Sequence, residues 1–186
     1  MNEVLTSIDA DLASRALAQS MQALWPRYGR VKIEYAVVDV EALKTVIDKV
    51  TPARLSAAMG IFQGMIEHGV PPYLPVAHAG DVNQKRVAFG PLVERHGDRL
   101  LLIDGVHRSL VARAEGHDSI YAVLIEAEFV PPPPGPVFNL VDAETVVTDQ
   151  ARLPLYPGRS SVYFRPSARF TELAQEKILR WVATES

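Results

Sequence analysis

The chain has 186 residues, 48% of them hydrophobic and 22% charged, and its formal net charge is −3. That composition describes a globular chain able to bury a core, and it excludes collagen-like, low-complexity and strongly basic classes. There is no cysteine, which removes disulfides, thiolate metal sites and cysteine nucleophiles together.

The first residues, Met1 to Asp9, lack a basic stretch followed by an apolar run, so no secretory signal is expected. No apolar stretch reaches the roughly 18 residues of a membrane span. The expectation is a cytoplasmic protein with no membrane partner. Ile8 to Trp25 reads as an amphipathic helix, with Leu12, Ala16, Met21 and Leu24 near helical spacing and Pro26 ending it. Val31 to Val40 changes period: Val31, Ile33, Tyr35 and Val37 alternate with Lys32, Glu34 and Ala36, which predicts a strand. Glu41 to Asp48 reads as a short helix or turn.

Thr51-Pro52 predicts a helix start, with Thr51 as cap and Pro52 where its missing N–H costs nothing. Leu55, Met59, Phe62 and Ile66 form its apolar stripe, and Gly69 stops it. Pro71, Pro72 and Pro75 lead into a short strand, Leu74 to Ala77. His78 to Gly97 reads as a loop or hairpin with one strand around Arg86 to Phe89. The apolar run Leu100 to Ile103 predicts a buried strand, followed by a helix from Val106 to Glu115, a stop at Gly116 and a strand from Ile120 to Ile125. Pro131 to Pro134 is stiff chain that cannot continue a sheet. Beyond it lie a loop with Pro154, Pro157 and Gly158, a strand at Ser161 to Phe164, and a last helix anchored by Phe170, Leu173, Ile178 and Trp181. The expected organisation is an N-terminal helical extension (1–30), a core (31–130) and a proline-rich linker with a C-terminal extension packing on that core (131–186).

Leu101 to Leu110 carries the clearest chemistry. A buried strand delivers the chain to Asp104-Gly105, and a helix begins at once with Val106-His107-Arg108-Ser109. The first turn of a helix has unpaired N–H groups and the positive end of the dipole, so it attracts anions. Gly105 lets a ligand approach the backbone. His107 and Arg108 add donors, and an arginine fork suits a phosphate. Asp104 suits a cap, or the orientation of a hydroxyl or metal ion. A structural use of the same residues stands beside this one: Asp104 as cap, His107 on the surface, Arg108 paired with a carboxylate.

From about Val31 to Ala127 the chain resembles the ParB/sulfiredoxin superfamily. The resemblance rests on Thr51 to Gly69, the Pro-x-x-Pro-Val segment Pro72 to Val76, Leu101 to Arg108, Gly116, and Ile120 to Ile125, in that order. It implies an α+β fold: a small mixed sheet with flanking helices, here extended by an N-terminal helix and a C-terminal strand and helix. It also implies ATP or ADP bound over Gly105, Val106, His107, Arg108 and Ser109, with Mg2+ carried by the phosphates and no dedicated metal cage. Sulfiredoxin chemistry is excluded, because the position of its cysteine is Val106. Chromosome-partition activity is disfavoured by the short, proline-rich segment after Pro134.

Two branches remain. The chain is similar to free serine kinases, which transfer phosphate to a small hydroxyl substrate and place a glutamate base a few residues before a Pro-x-Arg-Leu helix start. Here Asp48 stands at that position before Pro52-Ala53-Arg54-Leu55, one methylene shorter than glutamate. The resemblance thus implies Asp48, Asp104 and His107 as catalytic residues. The chain is also similar to stand-alone plasmid fertility-inhibition factors, associated with ATP hydrolysis and DNA cleavage. A third reading is a nucleotide-sensing module that binds a protein partner through the proline segment and the last helix.

Other constellations are weaker. His78 with Asp81, and His96 with Asp98, read as solvated loop residues. His68 suits a helix C-terminus. Trp25 and Trp181 read as packing anchors, and Arg159, Arg165 and Arg169 as a solvated face. No P-loop and no Gly-x-Gly-x-x-Gly motif is present.

Overall fold

The structure, a computed structural model, describes residues 4–80, 84–133, 135–145 and 167–184. It is a mixed α+β fold. The elements in chain order are β1 (Val4–Ser7), α1 (Ala10–Leu24), β2 (Val31–Asp39), β3 (Leu43–Thr45), β4 (Lys49–Val50), α2 (Pro52–Glu67), β5 (Val76–Gly80) and β6 (Gln84–Ala88). They continue with β7 (Leu92–His96), β8 (Arg99–Asp104), α3 (Val106–Ala114), β9 (Ser119–Ala127), β10 (Phe138–Asn139), β11 (Glu144–Thr145) and α4 (Ser167–Thr184). The expected strand at Ser161 to Phe164, the loop prolines Pro154 and Pro157, and Asp81, Arg159 and Arg165 lie outside the described residues.

Six strands form one mixed sheet in the order β10-β3-β8-β7-β9-β2. Period-two alternation divides its side chains between two faces. Val38, Val93, Leu102, Ala122 and Leu124 face α2 and α3. Ile33, Leu92, Val123 and Ile125 face α1 and α4. A second sheet, β1-β5-β6, carries the segment that leads into β7. The terminal segments are bound to this core: β1 pairs with β5, β10 extends the main sheet beside β3, and α4 packs along α1. No helix among the described residues is long and apolar enough to cross a membrane.

Five expectations need correction. Of the helix or turn expected at Glu41 to Asp48, the turn is present at Val40 to Ala42, but it leads into a strand, β3, whose Leu43 and Thr45 are buried beside β8. The sheet supplies what the local sequence lacked. Ile66 does not join the core stripe of α2; it is 48% exposed, whereas Phe62 is buried as expected and Ala58 and Met65 are buried with it. The strand expected at Leu74 begins at Val76, after a turn closed by Leu74 N–H donating to the Pro71 carbonyl. His78 lies in that strand rather than in a loop.

The segment before Gly97 holds a second strand, β7, in the middle of the main sheet. His96 ends it, with Nε2 3.0 Å from Oε2 of the fully buried Glu94. The buried Tyr28 donates its hydroxyl to the same carboxylate. A buried carboxylate of this kind needs such partners to offset lost hydration. His68, as expected, ends α2, where Nδ1 lies 2.8 Å from the Gly64 carbonyl.

Candidate functional site

The turn between β8 and α3 is built as the sequence predicts, but for a different reason. Gly105 has φ 96° and ψ 17°, a conformation that favours glycine. A Cβ there would lie 2.8 Å from Cα and Cβ of Pro91. The glycine is therefore required by the chain's own packing, and the space beside it is filled by Pro91 rather than left for a ligand. Asp104 does not cap α3. Its Oδ1 accepts the N–H of Gly105 at 2.8 Å, and Gly105 is itself the N-cap residue.

Of the side chains expected to touch phosphate, two are inaccessible. Val106 and Ser109 are buried as whole residues, so neither the Val106 side chain nor the Ser109 hydroxyl is reachable. Arg108 is mostly buried too, with 19% of its side chain exposed. Its Nη1 donates to the Phe89 carbonyl, and Nη2 lies 3.7 Å from Asp104 Oδ2. Arg108 thus clasps the β6–β7 connection to α3.

What stays partly exposed at the turn is Asp104, His107 and a little of Arg108; Gly105 and Val106 are buried. Ser109 N–H donates to the Gly105 carbonyl at 2.9 Å, the first bond of the helical ladder. The N–H groups of Val106, His107 and Arg108 precede it, and helical geometry gives them no carbonyl. Asp104 keeps 44% of its side chain exposed. His107 is half-buried, and its Nε2 is buried with no hydrogen-bond partner among the described residues. Burial, and then the charge of Arg54, hold the His107 imidazole below its ordinary titration range, while Asp104 opposes them. His107 is therefore neutral near pH 7.

The influence of Arg54 identifies a second helix start at the site. Arg54 is exposed in the first turn of α2, and α2 packs against α3. Thr51 occupies the N-cap position of α2, yet its side chain makes no capping bond, contrary to expectation. Neither α2 nor α3 has a side-chain cap or an acidic residue in its first turn. Two uncapped helix starts, one arginine and one neutral histidine make an anion-attracting surface. Sequence reasoning left Arg54 out of the site; the signal was its place in the Pro52-started first turn. Asp48 is half-buried just before β4 and is not among the charges that shift His107. No group of residues able to hold a metal ion occurs among the described residues.

No family model matches the chain, and neither curated proteins nor solved structures give a match.

Proposed function

We propose that the chain is a ParB/sulfiredoxin-like nucleotide-binding enzyme that transfers phosphate from ATP or ADP to a small hydroxyl substrate. The observation that carries this reading is the pair of uncapped helix starts on the packed helices α2 and α3, near enough for the Arg54 charge to act on His107. Unpaired N–H groups at a helix start need an acceptor, and a phosphate supplies several. The acidic balance of the chain, −3 overall, favours a small substrate over DNA.

When bound, the nucleotide brings the transferable phosphoryl group and its Mg2+. The N–H groups of His107 and Arg108, the two partly exposed residues of the first turn, orient phosphate oxygens. Arg54 supplies the exposed cation, because Arg108 is committed to Phe89. Neutral His107 donates a hydrogen bond without adding a second charge beside Arg54. Asp48 accepts the substrate hydroxyl proton, the role the serine-kinase resemblance gives it.

The test is incubation of the full chain with labelled ATP or ADP and Mg2+, with free serine, a pool of small hydroxy acids, and plasmid DNA in separate reactions. A phosphorylated small product is the expected result, and Asp48→Asn should lower its rate about a hundredfold to ten-thousandfold. Nicked DNA without a phosphorylated product overturns the proposal in favour of a nuclease. No turnover with nucleotide bound leaves a sensing module.

A further inference from the structure

Among the described residues the main sheet ends on a long edge strand. β2 spans nine residues, Val31–Asp39, and pairs with β9 in unbroken antiparallel register. Among the described residues no strand lies beyond it. It carries no proline and no bulge, two of the devices that protect an edge, and its charged residues are Lys32, Glu34 and the terminal Asp39.

The direction of its free backbone groups follows from the ladder. Val40 N–H donates to the Asp118 carbonyl at one end, and Glu128 N–H to the Arg30 carbonyl at the other. Hydrogen-bonded pairs alternate along an antiparallel ladder, so the even-numbered residues of β2 bond to β9. Val31, Ile33, Tyr35, Val37 and Asp39 therefore turn their N–H and C=O groups outward. Val37 is also 60% exposed, the second most exposed large hydrophobic side chain among the described residues.

We propose that this edge pairs with β2 of a second copy of the chain, antiparallel about a two-fold axis at Tyr35, so that the two six-stranded sheets become one. The strand is self-complementary in that register. Every outward residue meets another outward residue, and Val37 lies opposite the partner's Ile33. Glu34 lies opposite the partner's Ala36, so no like charges face each other. The basic start of the strand, Arg30 and Lys32, runs beside the acidic end, Asp39 and Glu41, of the partner. A slip that centres the axis on Glu34 sets two carboxylates directly opposite, at the pair type where side chains approach most closely. A slip that centres it on Ala36 leaves Val31 and Lys32 unpaired. A second copy fits this edge better than an unrelated peptide because one register pairs the whole strand and sets ends of opposite charge side by side, although Arg30, Lys32 and Glu41 already have partners within the chain.

Sedimentation of the full chain tests this. The expected mass is twice the 20.5 kDa of one chain. Val37→Pro removes an outward N–H and leaves the β9 ladder intact, since edge positions accept proline; it should be folded by circular dichroism and monomeric. The register has its own test. The chain lacks cysteine, so a Glu34→Cys/Ala36→Cys variant, oxidised, should run as a covalent dimer on a non-reducing gel. A wild-type chain that stays monomeric at high concentration overturns the proposal. So does a folded Val37→Pro dimer, or a wild-type dimer whose cysteine variant does not cross-link.

Discussion

The hydroxyl of Tyr73 donates to the carbonyl of Arg108 at 2.6 Å, tying a strained turn to the first turn of α3. Tyr73 has φ 70°, a conformation that costs a non-glycine residue about 1–2 kcal/mol. It sits at the third position of the turn closed by Leu74 N–H and the Pro71 carbonyl, where glycine is the usual residue. Its surroundings hold it there. The side chain is fully buried, its ring centroid is 6.1 Å from that of Phe62, and its N–H donates to Met65 Sδ at 3.2 Å. Burial drives the phenol well above its usual titration range, so it remains a neutral donor. Tyr73→Phe should cost about 0.5–1.5 kcal/mol through the lost bond. Tyr73→Ala should cost about 3–5 kcal/mol, because the ring is lost as well. Urea denaturation measures both, and equal losses would show that the ring does not hold the turn.

Gly105 should be intolerant of any side chain. Its φ of 96° costs alanine about 1–2 kcal/mol, and the contact with Pro91 adds an overpacking cost of about 1–3 kcal/mol. Pro91 cannot yield freely, since its carbonyl accepts the Val123 N–H at 2.8 Å in the central sheet. Gly105→Ala should therefore unfold at markedly lower denaturant. Wild-type stability in that variant would mean that Pro91 moves aside, and that the turn is softer than its packing implies.

His107 offers a titration whose sign is fixed by two neighbours. Arg54 pushes its pKa down and Asp104 pushes it up, with burial the largest effect and downward. Arg54→Ala should raise the His107 pKa and Asp104→Asn should lower it, as read by NMR of the imidazole. The stability consequence follows from linkage. The folded value lies below the ordinary 6.5, so the unfolded chain takes up the proton first as pH falls. Stability is full above about pH 6.5 and declines between that value and the lower folded one. His107→Gln should lose this part of the acid sensitivity. An unchanged pH profile would place the proton-linked group elsewhere.

The strand–glycine–helix turn was legible because its signals are local: an apolar run, a glycine, and helical spacing up to Gly116. The short strand β3 was not. Leu43 and Thr45 are buried only because β8 lies beside them, and three residues carry too little periodicity to show it. β7 was missed for a related reason. Glu94 and His96 read as polar loop residues, yet Glu94 is buried through Tyr28, a residue 66 positions away. The site shows the same division. Which residues stand in the first turn of α3 could be read from sequence. That Arg108 spends its guanidinium on Phe89, while Arg54 acts on His107 from another helix, depends on tertiary packing that no local pattern records.

Arg54 and Arg108 should therefore separate binding from folding. Arg108 is tied to Phe89 and faces Asp104, so Arg108→Ala leaves a carbonyl without its charged donor. The expected cost is about 1.5–3 kcal/mol of stability, the usual worth of a hydrogen bond to a charged group. Arg54 is exposed and has no hydrogen bond or ion pair among those described. Arg54→Ala should leave the denaturation curve nearly unchanged and weaken ATP binding, by calorimetry, by about 1.5–3 kcal/mol. That is a loss of about tenfold to a hundredfold in affinity. Lysine at position 54 should restore part of it, because the charge returns without the planar fork. Unchanged affinity in Arg54→Ala, with the protein folded and ATP bound, would remove the α2 start from the proposed phosphate site.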